Sequence, residues 1–234
     1  MAIAVKSHTR AGLVLMDARK ALYLVEHRAL LLGDIHFEKG SFLQAAGGHA
    51  LPTLDTLDNL NRLDALVRAY RPRTIVALGD SFHDMGAEAR MKPDDVTRLN
   101  RITDGTDMVW VLGNHDPDVP GGVHGRREDH VELAGEAGSF LLTHHPHDPG
   151  ERGVNVCGHL HPKARVLTRA RAVSGPCFAV CEERIVVPSF GAYTGGLWVS
   201  DPAFADETEM CVRDCRFYIV HRGHISPVDT RRIA

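Results

Sequence analysis

The stretch Ala29-Leu30-Leu31-Leu32-Gly33-Asp34-Ile35-His36 is a short apolar run that ends in a glycine, a carboxylate and an imidazole. Four later apolar runs also end in polar clusters, which are Gly79-Asp80-Ser81-Phe82-His83-Asp84, Gly113-Asn114-His115-Asp116, His144-His145 and Gly158-His159-Leu160-His161. In an open α/β fold, ligands collect in the crevice beyond the carboxyl ends of the strands. The sequence therefore predicts that five strand ends deliver these side chains to one polar site.

Apolar runs and helical patterns alternate along the chain. Residues 13–16 and 21–25 predict a hairpin, and Ala29–Leu32 and Thr74–Leu78 predict further strands. Leucines at 54, 57, 60, 63 and 66 predict an amphipathic helix from Pro52 that stops before Arg71-Pro72, and residues 94–102 predict another helix. More strands are predicted at 108–112, 140–143, 154–157, 185–187, 197–199 and 217–220, with long irregular connections at 40–51 and 116–129. This order favours a layered α/β fold.

The composition limits the class of protein. The chain has 234 residues, of which 44% are hydrophobic and 24% charged, which is typical of a globular protein and predicts a single domain over residues 1–234. No apolar stretch approaches the roughly 20 residues that span a bilayer, and no signal segment opens the chain, so we expect a cytoplasmic protein that does not bind membranes. The net charge of -3 argues against a broad basic surface that coats nucleic acid.

The five cysteines leave a metal site as an alternative. Cys177 with Cys181 and Cys211 with Cys215 share a spacing that a four-thiolate zinc site permits. The residues between the first pair, Phe178-Ala179-Val180, are typical of a buried strand. Small buried hydrophobic side chains are therefore the expected role of these cysteines.

Carboxylate and imidazole ligands together suit divalent ions such as Mn, Fe or Zn, and the chain contains 15 histidines. Each cluster alone has an ordinary explanation, since Gly-Asn-His-Asp is also typical of a turn, and His159 and His161 share one face of any extended segment. Five such clusters, each after an apolar run, favour a dinuclear metal centre.

The order of these clusters resembles the calcineurin-like metallophosphoesterase superfamily across residues 34–161. Four segments more specifically resemble the bacterial ligase-associated DNA damage response endonucleases, namely residues 33–40, 79–84, 158–162 and 187–196. The fold that this resemblance implies is a four-layer α-β-β-α sandwich, in which two mixed β-sheets pack face to face and helices flank them.

The resemblance also implies roles for the site residues. It assigns Asp34, His36 and His161 to one metal ion, Asn114, His144 and His159 to the other, and Asp80 to the bridge between them. Two ions about 3.5–4 Å apart supply a nucleophile and stabilise charge on the phosphoryl oxygens. His115 matches the catalytic histidine, with Asp116 as its orienting partner. His145 competes with His144 for one ligand position, and His83 is either a support for the ligands or a surface histidine in a turn.

The implied activity is that of a manganese-dependent phosphodiesterase that cleaves single-stranded or looped DNA endonucleolytically in DNA repair, with Fe or Zn as alternative metals. A DNA ligase, a helicase and an exonuclease are the partners that the resemblance implies. We expect Lys39, His124, Arg126 and Arg127 to grip the phosphates beside the cut, and Phe37, Phe42 and Tyr193 each to stack one base. The alternatives are a phosphoesterase for nucleotides or cyclic nucleotides, and a non-catalytic interaction module.

Overall fold

Two β-sheets lie face to face in the structure, a computed structural model that describes residues 2–47, 54–116, 118–168 and 171–234. Seven strands form the first sheet in their chain order. They are β1 (Ala4–Thr9), β2 (Gly12–Asp17), β3 (Ala21–Leu24), β4 (Ala29–Leu32), β5 (Thr74–Leu78), β6 (Asp107–Val111) and β7 (Arg126–Glu128). The strands from β4 to β7 run parallel, so that their carboxyl ends meet at one edge of the sheet.

The second sheet holds eight strands. They are β8 (Val131–Ala134), β9 (Ser139–Thr143), β10 (Gly153–Cys157), β11 (Lys163–Leu167), β12 (Ala172–Val180), β13 (Arg184–Val186), β14 (Arg216–His221) and β15 (His224–Val228). Their order is β15-β14-β12-β13-β10-β9-β8, with β11 paired to β12. Strands β9, β10 and β13 run parallel, and the other pairs are antiparallel, so the sheet is mixed.

The helices are α1 (Lys39–Ala45), α2 (Asp55–Tyr70), α3 (Ala87–Arg90), α4 (Pro93–Thr103) and α5 (Pro202–Thr208). Two short 3-10 turns lie at Val212–Asp214 and Thr230–Arg232. The helices predicted to end before Arg71 and to span 94–102 are confirmed as α2 and α4. Across the described ranges, no helix combines the length and apolar character that crossing a membrane requires.

Alternate side chains of each central strand face different layers. Leu31 of β4 faces the other sheet and packs in one cluster with Phe140 and Phe178. Its neighbours Leu30 and Leu32 pack with leucines of α2 and α4 on the opposite face. Both faces are buried, which explains why these strands are continuous apolar runs. A third cluster packs Phe204 of α5 against the outer face of the second sheet. The four-layer α-β-β-α arrangement is thus confirmed.

Three sequence predictions about local structure are wrong. Residues 197–199 form a single bridge, between Trp198 and Lys163, because their backbone bonds to other segments go to Leu160 and to the first residue of β11, Lys163. Helix α1 occupies part of the predicted irregular connection at 40–51, of which residues 48–51 lie outside the described residues. Strand β7 lies within the connection predicted at 116–129.

Three of the five cysteines are buried hydrophobic side chains. Cys157, Cys177 and Cys215 lie in the cluster beneath the second sheet, and burial raises the pKa of Cys215 to about 12. Cys211 is exposed and Cys181 half-buried. Among the described residues, no group with metal-ligand spacing includes a cysteine. The prediction of buried cysteines is confirmed for Cys177 and Cys215 and is wrong for Cys211, which lies at the surface.

Candidate active site

The carboxyl ends of the parallel strands bring the predicted ligands of both sheets together. In the first sheet Leu32 pairs with Ala77 and Leu78 with Val111, so the turns that follow β4, β5 and β6 are level. In the second sheet Cys157 pairs with Thr143, which places the turns after β9 and β10 side by side. The backbone N–H of His159 donates to both carboxylate oxygens of Asp34, at 3.1 and 3.0 Å, and so joins the two sheets at this edge.

One group of candidate ligands contains Asp34, His36 and His161, whose ligand atoms all lie within 4.8 Å of one another. Nε2 of His161 is 3.1 Å from Oδ1 of Asp34. Nδ1 of His36 and Nε2 of His161 are buried and have no hydrogen-bond partner in the part of the chain that the structure describes. Burial, followed by the charge of Lys39, lowers the pKa of His36, which keeps its imidazole in the neutral form that binds metals. These residues fit one divalent ion.

The second group surrounds Nε2 of His144. This atom lies 3.0 Å from Oδ1 of Asn114, 3.3 Å from Nδ1 of His159 and 3.5 Å from Oδ1 of Asp80. Nδ1 of His144 donates to the carbonyl of Leu78 at 2.9 Å. In a neutral imidazole this leaves a lone pair on Nε2, facing the lone pairs of two oxygen atoms. Such an arrangement fits a second cation.

Asp80 lies where a bridging ligand is needed. It belongs with Asp34 and His144 to a further group whose ligand atoms lie within 4.8 Å of one another, and it is 3% exposed. The group therefore joins residues of both candidate metal positions. This placement supports the bridging role that the sequence resemblance implies.

His144 and His145 differ in their burial and in the residues that their side chains contact. The His144 side chain is buried and contacts Asn114 and Asp80, whereas His145 is exposed and packs against His159 with the rings tilted and their centroids 4.1 Å apart. His144, His145 and His159 also form a group with ligand spacing. The contacts favour His144 as the ligand, with His145 as a neighbour of the same site.

Five of the proposed ligands have a left-handed backbone conformation, with φ of 48° at Asp34, His36 and Asp80, 64° at His159 and 47° at His161. Such conformations are strained for residues other than glycine and persist only where the surroundings enforce them. The carbonyl of Asp34 accepts from the Ser189 hydroxyl at 2.8 Å and from the N–H of Gly191 at 3.1 Å. The N–H of His36 donates to the carbonyl of Asp80 at 3.0 Å.

Buried polar side chains also brace the loop after β4. The carboxylate of Glu38 accepts from the hydroxyls of Ser41 at 2.7 Å and Thr56 at 2.8 Å. The amide of Asn59 donates to the carbonyl of Ile35 at 3.0 Å. Helices α1 and α2 therefore fix the segment that carries Asp34 and His36.

His115 is exposed, and its backbone N–H donates to Oδ1 of Asp80 at 2.9 Å. Its ring stacks on that of His83, with centroids 5.6 Å apart. His83 is buried between His115, His36 and Phe42, so the alternative of a surface histidine is wrong. Burial lowers the pKa of His83 to about 4, so this ring is neutral at pH 7.

The prediction that Asp116 orients the His115 ring is not what the structure shows. The Asp116 carboxylate accepts from the backbone N–H groups of Ser81 at 2.6 Å, Phe82 at 3.1 Å and Gly113 at 3.1 Å. Three backbone donors occupy it because the turns after β5 and β6 leave their N–H groups unpaired at this point. Asp116 thus holds together the two turns that carry Asp80 and Asn114.

Two predicted phosphate-binding residues, His124 and Arg126, lie away from the candidate metal ligands, and a third, Arg127, is already paired within the protein. Arg126 opens β7 and pairs with Asp107, which begins β6 at the end opposite to Asn114. The backbone of His124 bonds to Asn100 and Trp110, and its side chain lines a hollow at that same end. Arg127 pairs with Asp118 and the carbonyl of Val119.

Lys39 stays a candidate for phosphate binding. Burial lowers its pKa, while the nearby charges of Asp80 and Asp34 raise it, so the ammonium lies close to the ligands. Among the predicted base-stacking residues, Phe37 is fully buried, which makes that prediction wrong. Phe42 packs on the His83 ring, with centroids 4.5 Å apart. Tyr193 is 39% exposed.

Gly79→Ala should weaken metal binding by about 10- to 100-fold, because a side chain at this position collides with the His144 ring that Leu78 orients. Gly79 also has φ of 81°, so alanine adds backbone strain of about 1–2 kcal/mol. Isothermal titration with Mn²⁺ measures the affinity, and chemical denaturation measures the free energy of unfolding.

Gly105→Ala is the matched control. Gly105 has φ of 75° but nothing within 4 Å of an added Cβ, so it carries the same strain without the collision. We expect a similar loss of unfolding free energy and wild-type affinity for Mn²⁺. Equal metal affinity in the two variants would contradict the role of Gly79 in seating His144.

The family model for the calcineurin-like phosphoesterases matches residues 27–161, which is more than half of the chain. The chain belongs to the calcineurin-like phosphoesterase family. This phosphoesterase is similar to the crystal structure of Pseudomonas putida nuclease MPE, with 26% identity, a TM-score of 0.71, and coverage of 96% of this chain and 100% of that chain. It is also similar to Yfce, a phosphoesterase from E. coli, with 16% identity, a TM-score of 0.39, and coverage of 88% of this chain and 95% of that chain. No curated protein matches the phosphoesterase significantly.

Sequence reasoning missed the residues of this phosphoesterase that orient and brace the ligands. The carbonyl of Leu78 aligns His144, and Ser189 holds the backbone of Asp34 from a position 155 residues away in sequence. A backbone carbonyl and a serine carry no sequence pattern that marks them as parts of a metal centre.

Proposed function

We propose that this phosphoesterase is a DNA endonuclease that hydrolyses phosphodiester bonds in single-stranded or looped DNA with two divalent metal ions. The observation that carries the proposal is the set of ligand groups at one edge of the two sheets, in which Asp34, Asp80 and His144 connect the group of Asp34, His36 and His161 to the residues around His144. The similarity to a nuclease over almost the whole of both chains supports DNA as the substrate.

Asp34, His36 and His161 would hold one ion, Asn114, His144 and His159 the other, and Asp80 both. When bound, the ions supply Lewis-acid activation of the attacking water and neutralise charge on the phosphoryl oxygens. His115 would donate a proton to the departing alkoxide, because its exposed ring adjoins the ligand His36, with centroids 5.5 Å apart. Its backbone bond to Asp80 keeps the ring at this edge.

Single-stranded DNA bends more easily than a duplex, which suits a site that is formed by loops from two sheets. We further propose manganese as the preferred metal and DNA repair in the cytoplasm as the setting. A partnership with a DNA ligase, a helicase and an exonuclease stays a prediction from the family resemblance.

The test is cleavage by the purified, manganese-loaded protein of four substrates side by side. These are circular single-stranded DNA, linear duplex DNA, a cyclic nucleotide and a phosphomonoester. We expect the circle to be cut, which requires endonucleolytic action because it has no ends, and the duplex to be cut much more slowly. Efficient hydrolysis of the cyclic nucleotide, with the DNA circle left intact, would overturn DNA as the substrate. If none of the four substrates were hydrolysed, the alternative of a non-catalytic interaction module would be supported.

A further inference from the structure

A cavity of about 250 Å³ adjoins the candidate ligand His161. Lys20, Lys163, Ser189, Gly191 and Tyr193 contribute to its lining. A cavity of this size lies below the range that accepts drug-sized ligands, so it fits one small group and not a long segment of polymer.

The wall of the cavity is fastened to the metal ligands. Ser189 and Gly191 both donate to the carbonyl of Asp34, at 2.8 and 3.1 Å. Gly196 follows this segment with φ of 156°, and a side chain there would collide with the carbonyl of His161. The segment from 189 to 196 therefore lies close against two ligands of the same candidate ion, and the position of the cavity relative to that ion is fixed.

The charge of the lining is positive. Lys20 and Lys163 are the charged residues of the lining, to which no carboxylate belongs. Neither lysine forms a salt bridge within the described ranges of the chain. Nζ of Lys20 donates to the carbonyl of Gly191 at 2.8 Å, which uses one of its three N–H groups. Burial, followed by the charge of Arg62, lowers the pKa of Lys20 to about 7, so an anion in the cavity would favour the charged form of this lysine. Lys163 is half-buried as well, and the lining therefore suits an anion.

Tyr193 lies at the rim of this cavity with 39% of its surface exposed. Its φ of 56° is left-handed, a conformation that a tyrosine adopts only where the neighbouring backbone enforces it. Aromatic rings beside a basic groove stack the bases of single-stranded nucleic acids without regard to sequence. Tyr193 thus places an aromatic ring beside the cavity that Lys20 and Lys163 line.

We propose that this cavity binds the phosphate next to the scissile one, with its sugar, and that Tyr193 stacks the attached base. This inference rests on the proposed function and deepens it. Lys20 and Lys163 are then positioning residues that select a phosphodiester chain over an isolated phosphoester, because only a chain has a second phosphate to place between them.

Lys163→Met tests the proposal with two substrates. A single-stranded oligonucleotide carries neighbouring phosphates, whereas bis(p-nitrophenyl) phosphate is a diester without any. We expect kcat/KM for the oligonucleotide to fall about tenfold, mainly through KM, and the loss on the small diester to be at least fivefold smaller. Lys163→Arg, which keeps the positive charge, should restore most of the loss.

The salt dependence of oligonucleotide binding separates a phosphate contact by Lys163 from a purely structural role, which would leave this dependence unchanged. Each phosphate contact to a single strand contributes about 0.7 to the slope of log affinity against log salt. Anisotropy of a labelled oligonucleotide on the metal-free protein measures this slope without cleavage, and we expect Lys163→Met to reduce its magnitude by about 0.7. Arg126→Met is the matched control, because Arg126 pairs with Asp107 at the opposite end of β6, and its slope should equal that of the wild type.

Tyr193→Ala should lower oligonucleotide affinity about tenfold and leave the salt slope unchanged, since stacking involves no counterions. Equal losses on both substrates, or an unchanged salt slope in Lys163→Met, would overturn the cavity assignment. Failure of the proposed function would be visible in the wild-type protein alone. It would hydrolyse the small diester and leave the oligonucleotide intact.

Discussion

Asp80→Ala removes both metal ions and reduces phosphodiester hydrolysis to below about a thousandth of the wild-type rate. The reason is the position of Asp80, which shares one ligand group with Asp34 and His144, residues of the two candidate metal positions. Elemental analysis after loading with Mn²⁺ and gel filtration should give two equivalents for the wild type and fewer than about 0.2 for the variant.

The control for this prediction is Asp80→Asn. Asparagine keeps an oxygen that accepts from the backbone N–H of His115, so the turn around it should stay intact, while the negative charge that bridges two cations is lost. We expect a far-ultraviolet circular dichroism spectrum like that of the wild type in both variants, with metal content restored only in part by asparagine. Two equivalents of Mn²⁺ in Asp80→Ala would remove Asp80 from the bridge.

We expect His115→Ala to keep both metal ions and to lower the proposed cleavage of single-stranded DNA by about 10²- to 10⁴-fold, the range that a positioned general acid contributes. The metal ions stay because His115 contacts Asp80 through its backbone N–H, which alanine also provides. Single-turnover kinetics on an oligonucleotide and elemental analysis measure the two quantities on the same preparation.

The leaving group identifies what the ring of His115 does. A sugar alkoxide needs a proton when it departs, whereas p-nitrophenolate leaves without one, so bis(p-nitrophenyl) phosphate should lose much less activity than DNA in His115→Ala. The salt slope of DNA binding should equal that of the wild type, which separates this effect from that of Lys163. A variant with undiminished DNA cleavage would refute the assigned role.

The sequence predicted which side chains the structure brings together at the candidate metal centre, because the proposed ligands are local features of strand ends. Asp34, Asp80 and Asn114 each follow a buried apolar run and a glycine, and parallel pairing of those runs is enough to bring them together. The glycine pattern had a steric reason, since a side chain at Gly113 would collide with Asp80, and one at Gly158 would collide with Asp34. Ligand type and position were therefore readable before the fold was known.

The substrate-binding residues were not readable in the same way. Arg126 and His124 follow the Asn114 turn closely in sequence, but the chain returns to the far end of β6 before β7 begins, and Arg126 pairs there with Asp107. Lys20, in contrast, precedes the first proposed ligand in sequence and belongs to none of the polar clusters. Its hydrogen bond to the carbonyl of Gly191, 171 positions later, places it at the edge that carries the candidate ligands. Contacts of this kind depend on how two sheets pack, which no local pattern records.

The left-handed ligands have a consequence for how the protein acquires its metals. Asp34 accepts hydrogen bonds from Ser189 and Gly191, and His36 donates one to the carbonyl of Asp80, so the backbone of both residues is held by bonds within the protein. These bonds involve no metal ion, and we therefore expect metal loading to require no refolding of this segment. Because a mixed carboxylate and imidazole set accepts several divalent metals, and occupancy in cells depends on metal availability as well as on affinity, the metal recovered from cells should follow the growth medium.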